Sequence, residues 1–270
     1  MSSSNETNKP EDKVAACCAS FYEKDVVQQL LGTSFHPGGP ELSERLIQRL
    51  DRPRGARVLD VACGVGTTSR MMAEPFGLEA VGLDFSMANV ERATAASANV
   101  TPTPTFVVGS ADDLPFDDGE FDAVVCECAV STFADQPRVA AEFLRVLKPG
   151  GLFGMTDMVV DGELPPEIAA NIAPWTCMAA AHSVAGYQQL MQGAGFALAQ
   201  YDDESPTLLQ LATELKRKLV MAGVGQALGA AAGLDLDIRQ MRDLLAESRR
   251  LVEQGTVGYC SLVFSRGVSC

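Results

Sequence analysis

The chain has 270 residues, 47% of them apolar, and 21 basic against 35 acidic side chains give a formal net charge of −14. That length can bury one large core with additions, and the acidic balance excludes nucleic-acid binding, which needs clustered Lys and Arg. No apolar run reaches membrane-spanning length, and the opening MSSSNETNKPEDK has no hydrophobic signal core, so the expectation is a soluble cytoplasmic protein with a disordered tail over 1–13.

Residues 14–50 read as a helical segment: EKDVVQQLL, then a glycine-proline loop with His36, then a second helix through PELSERLIQRL. From Arg57 the pattern changes. RVLDV suits a buried parallel strand with Asp60 near its carboxyl end, and Gly64, Gly66 and Thr67 lead into a helix. Glycines at such a turn let the backbone approach a ligand, and the helix N-terminus offers free N–H donors. Ser69 stands where a third glycine would complete the dinucleotide fingerprint. An acid ahead of the turn suits a zwitterionic amino-acid tail better than a pyrophosphate, and Asp60 is placed to reach its ammonium group.

The next strand, EAVGLD, ends in Asp84, with Ser86 as N-cap of the following helix. A carboxylate at that strand tip is placed to accept both hydroxyls of a ribose, and Phe85 and Met87 offer an apolar face to a purine. TFVVGSADDLPFDDGEFDAVVCECAV gives a third strand, an acidic loop at Asp112 and Asp113, and a fourth strand ending near Cys126. VAAEFLRVLKPGGLFGMTDM gives an amphipathic helix, a Pro-Gly-Gly turn and a fifth strand. The alternation predicts an α/β fold with a doubly wound parallel sheet. GFALAQYDDES and GTVGYCSLVFS read as a sixth and a seventh strand, separated by a helical insertion over 206–254. The core then comprises 51–205 and 255–270.

The stretch from Arg57 to Asp157, with its glycine loop, Asp84, GSADDLPFDDGEFDAVV and LKPGG, resembles the class I S-adenosylmethionine-dependent methyltransferases. The resemblance implies their Rossmann-like fold, a seven-stranded mostly parallel sheet with helices on both faces, and S-adenosyl-L-methionine as cofactor. It implies Asp60, Ala62, Gly64, Gly66 and Thr67 at the methionine end and Asp84 on the ribose. Ala111 and Asp112 would border the adenine, and Cys126 and Glu127 would flank the reactive methyl. Many relatives carry an acid where this chain has Ser110, so the adenine amino contact falls to Ser110 or Asp112. The 14–50 segment would be a lid, with Tyr22, His36, Gly38 and Gly39 closing over the cofactor.

Eight cysteines remain: Cys17, Cys18, Cys63, Cys126, Cys128, Cys177, Cys260 and Cys270. Their spacings match no zinc ribbon, and no structural metal is expected. Cys63, Cys260 and Cys270 read as packing or incidental residues. Cys128 just after the fourth strand, and Cys177 in a Leu-Pro to Ala-Gly-Phe segment after the fifth, resemble their counterparts in the arsenite methyltransferase family. That resemblance implies trivalent arsenic held by Cys128 and Cys177, with Cys17 or Cys18 as a third thiolate and a thiol reductant as a further partner. Soft, thiophilic arsenic suits sulfur ligands, and its lone pair carries no proton for a base to remove. Two alternatives stand beside this reading. One is a small organic acceptor using oxygen, nitrogen, carbon or sulfur, with Glu127 or His182 as base. The other is a non-enzymatic, thiol-rich metalloid-binding protein.

Overall fold

A computed structural model describes residues 36–171, 177–227 and 238–267. The first helix among the described residues, α1 (Gly39–Leu50), starts after left-handed Gly38 with Pro40 in its first turn. There follow β1 (Arg57–Val61), α2 (Thr67–Ala73), β2 (Glu79–Asp84), α3 (Met87–Ala96), β3 (Thr105–Val108) and β4 (Phe121–Glu127). A 3-10 turn over Val130–Thr132 leads to α4 (Gln136–Val146), β5 (Leu147–Val160), α5 (Pro166–Asn171), α6 (Val184–Ala194) and β6 (Phe196–Asp203). Helices α7 (Ser205–Ala227) and α8 (Ile238–Glu253) then precede β7 (Val257–Arg266). Local signals fix the boundaries, with Ser86 capping α3 as the sequence predicts and Asp135 capping α4 without having been foreseen. Ser86 accepts the Asn89 N–H and Asp135 accepts the Arg138 N–H, each satisfying a helix's orphan donor.

The described residues form a seven-stranded sheet in the order β3-β2-β1-β4-β5-β7-β6. Strands β1 to β5 pair in parallel, and β7 runs antiparallel between β5 and β6. Chain order reverses between β1 and β4, which opens a crevice at the carboxyl ends of those two strands. The helical insertion lies between β6 and β7 as expected, with α8 packed on α7, α5 and β7. Among the described residues no helix is long and apolar enough to cross a membrane.

One layer of core is aromatic, with Phe153 between Phe143, Phe196 and Phe264. The opposite layer buries Leu46, Ile47 and Leu50 of α1 with Val58, Met72, Val125 and Val263. A third cluster gathers Leu42, Met158, Ile168, Cys177, Met178, Leu251, Val257 and Tyr259, with Cys128 against it. Two expectations need correction. The Lys-Pro-Gly-Gly turn lies inside β5, as a bulge in its pairing with β4, because Gly150 takes a left-handed φ of 77°. Residues 39–50, the last third of the segment expected as a lid, pack instead as a layer of the core. Gly154 on β5 allows this, since a Cβ there would stand 3.0 and 3.1 Å from Leu46 and Leu50. Residues 14–35 lie outside the described residues.

Leu46 is fully buried in that layer, so Leu46→Ala should cost about 2–5 kcal/mol of stability. Urea unfolding measures it, and a near-native midpoint would mean that α1 is peripheral.

Candidate active site

Strands β1, β2 and β4 each end in or next to a carboxylate, and the loops that follow wrap around these groups. Asp60 is almost fully enclosed and accepts the Ser69 hydroxyl at 2.6 Å. Burial pushes its carboxyl up to about 7, and the neighbouring charges of Glu127 and Asp84 add to the effect. Asp84 takes the Gly64 N–H on one oxygen at 2.8 Å, and the Ser86 N–H and Asn89 amide on the other. A carboxylate has about four acceptor positions, so the chain already uses most of this one. A second ribose hydroxyl would have to displace the Asn89 amide.

Glu127 is held from two sides. Ser43 of α1 donates to its oxygens at 3.0 and 3.1 Å, and Thr68 of α2 donates at 2.7 Å. His36 Nε2 lies 3.2 Å from the Ser43 hydroxyl and 3.6 Å from Glu127 Oε2. Glu127 is therefore held in place where β4 leaves the sheet. Ser43 and Thr68 were not foreseen, although Ser43 left a trace as a polar residue inside the apolar stripe of Leu42, Leu46, Ile47 and Leu50.

The glycine loop divides its tasks. A Cβ on Gly64 would meet nothing within 4 Å, so this face of the loop is open. Gly66 faces inward, where a Cβ would collide with Phe106 and Ala93, so packing and a φ of 72° require it. Ala62 also takes a left-handed φ, of 58°. Thr67, expected at the ligand, accepts from Arg70 at 3.3 Å, and its neighbour Thr68 donates to Glu127. Phe85 and Met87 are large apolar side chains left 52% and 58% exposed beside the strand ends. Ser110 donates to Asp112 in the loop after β3.

Some expected site residues turn their side chains into the core. Cys126 is fully buried in the aromatic core layer, and Ala111 packs into the same cluster, so neither side chain is open to a ligand. Gly38 and Gly39 start α1; a Cβ on Gly38 would strike Leu42, and the Gly39 N–H closes on the His36 carbonyl. Cys17, Cys18, Tyr22 and Cys270 lie outside the described residues.

Cys128 and Cys177, 49 residues apart in sequence, are brought together with their sulfurs 3.8 Å apart. The Cys177 thiol also lies 3.2 Å from the Cys128 carbonyl. Both residues take left-handed φ values, 52° and 57°. That region is uncommon for residues other than glycine and tends to mark functional positions. Burial pushes the thiols of Cys63, Cys126 and Cys260 upward, which keeps them protonated and inert. Nearby, His182 Nε2 meets Gln136 Oε1 at 2.5 Å, and burial lowers the imidazole's pKa. Among the described residues no group of three or more His, Cys, Asp or Glu is arranged to hold a metal ion.

This combination of sheet order, strand-end carboxylates and glycine loop is the Rossmann-like fold of S-adenosylmethionine-dependent methyltransferases. Residues 59–155 match the family described as a methyltransferase domain. The chain is 31% identical over 172 residues to the methyltransferase GfsG of Streptomyces halstedii, covering 62% of each protein. It is 28% identical over 194 residues to phosphoethanolamine N-methyltransferase 3 of Arabidopsis thaliana, covering 71% of this chain and 39% of that one. The matches thus span less than two thirds of either relative. In structure it is similar to Haemonchus contortus phosphoethanolamine N-methyltransferase 2 in complex with S-adenosyl-L-methionine. The TM-score is 0.77 at 17% identity, over 94% of this chain and 60% of the other.

The enclosed Asp60 carboxyl should leave a mark on stability. Its folded pKa is raised from 3.8 to about 7, so the folded state binds more protons than the unfolded one between those values. Its stabilising contribution is therefore full below about pH 4 and lost as pH rises to about 7. Between pH 5 and 7.5, Asp60→Asn should gain on the order of 3 kcal/mol relative to the native chain. Paired urea titrations test this, and a pH-independent difference would mean that Asp60 is ionised throughout.

Proposed function

We propose that the chain is an S-adenosylmethionine-dependent methyltransferase whose acceptor is a thiophilic centre, trivalent arsenic foremost, held by Cys128 and Cys177. The observation that carries the reading is the 3.8 Å separation of the two sulfurs, one residue beyond Glu127 at the end of β4. Two sulfurs at that distance span one soft ion, about 2.3 Å from each, at an angle of roughly 110°.

The strand-end crevice fits the cofactor. The open Gly64 face, the carboxylates of Asp60 and Glu127, the Asp84 tip and the exposed Phe85 and Met87 supply a loop, charge for an ammonium group, a ribose acceptor and an apolar wall. Ser110 and Asp112 would lie toward the adenine amino edge. When bound, S-adenosylmethionine supplies an electrophilic methyl group on a positively charged sulfur. Arsenite would exchange two hydroxyls for the two thiols: two arsenic–sulfur bonds form, and each thiol proton leaves with a hydroxyl as water. The step is redox-neutral. Thereafter the two sulfurs fix the acceptor, and positioning supplies much of the rate. Cys17 or Cys18 remains the candidate third thiolate, and a small thiol could serve in its place. Reduced thiols suit a cytoplasmic setting.

A second reading is a small organic acceptor. It is supported by the phosphoethanolamine methyltransferases among the relatives and by His182. This imidazole, kept neutral by burial, follows Ala181, which packs against the Cys128–Cys177 cluster, and could serve as a base.

Release of S-adenosylhomocysteine across a panel of acceptors, arsenite with a thiol among them, separates the readings. Cys177→Ser should abolish turnover of arsenite while cofactor binding stays intact, because a protonated hydroxyl is a poor ligand for a soft centre. Full arsenite activity in that variant would promote the organic acceptor. Cofactor binding without turnover of any acceptor would point to a thiol-rich binding protein. Asp84→Ala should weaken cofactor binding by about 1.5–3 kcal/mol in calorimetry, and unchanged affinity would remove Asp84 from the site.

A further inference from the structure

The buried carboxylate of Asp157 has no part in the reading above, yet it grips the turn that carries Cys128. Asp157 is fully enclosed on β5. One of its oxygens accepts the Ser131 hydroxyl at 2.7 Å and the Met158 N–H at 2.7 Å, and the other accepts the Ser131 N–H at 2.9 Å. Its neighbour on the strand, Thr156, accepts the Cys128 N–H on its carbonyl at 2.7 Å. The Thr156 hydroxyl is in turn fixed by Tyr259 at 3.0 Å. Two consecutive β5 residues thus hold both ends of the four-residue arc from Cys128 to Ser131. An arc pinned at both ends has little freedom, and Cys128 at its start is in the left-handed region, φ 52°. Such a conformation persists only where the surroundings impose it.

We propose that Asp157 is a positioning residue that, through Ser131, holds the Cys128 thiol opposite that of Cys177. The inference rests on the dithiol reading of the acceptor site. Burial of a carboxylate without strong donors is costly, so three donors from residues 131 and 158 make the clamp rigid and couple it to the turn.

The test uses phenylarsine oxide as a dithiol probe and S-adenosylhomocysteine as a cofactor probe, on the full chain. The native chain should capture one equivalent of the arsenical in native mass spectrometry. Ser131→Ala, which keeps the backbone bond, should weaken capture at least tenfold with S-adenosylhomocysteine affinity within twofold. Asp157→Asn should weaken it further, because an amide group then faces a donor. Native-level capture in Ser131→Ala would overturn the inference. So would a parallel loss of S-adenosylhomocysteine binding, which would mark a general structural role. A native chain that ignores the arsenical while binding S-adenosylhomocysteine would overturn the dithiol reading itself, and this inference with it.

Discussion

Ending parallel strands in buried carboxylates imposes a condition on every loop that follows, because a charge removed from water must find donors. Asp84 finds them in the backbone of Gly64 and Ser86, Glu127 in Ser43 and Thr68, and Asp60 in Ser69. The glycine loop, the start of α2 and the buried face of α1 are all shaped by that requirement. Asp60 is fully enclosed, and burial, more than any shortage of donors, raises its pKa. The same carboxyl groups line the crevice between β1 and β4.

Across from this crevice the character changes within one residue. Glu127 is polar and tethered, while Cys128 turns through a left-handed conformation into an apolar cluster with Cys177, Met178, Ile168 and Tyr259. The two halves need each other sterically. Leu42 lies in that apolar cluster while Ser43, the next residue, donates to Glu127, so α1 braces both sides at once.

Similarity to known methyltransferases lies over 59–155 in the family match, which contains the glycine loop, Asp84, Glu127 and Cys128 but not Cys177. Cys177, His182 and the helices α7 and α8 lie beyond it.

The sequence by itself determined the strands, their order of appearance and the strand-end residues, because glycine and proline punctuation and short apolar runs are local signals that tertiary packing here reinforces. It also singled out Cys128 and Cys177, through their resemblance to a family rather than through any local pattern. Only the tertiary structure decided that their sulfurs lie 3.8 Å apart, since a contact across 49 residues depends on how the segment after β5 returns to β4. Only it showed that Thr68, and Ser43 from a helix read as part of a lid, hold Glu127. Adjacent residues in a helix differ by about 100° in direction, so a one-residue choice is settled by packing. The same holds for Cys126 and Asp157: alternation in a strand says that neighbours face opposite ways, and the helices and turns packed on each face decide which side is core and which is site.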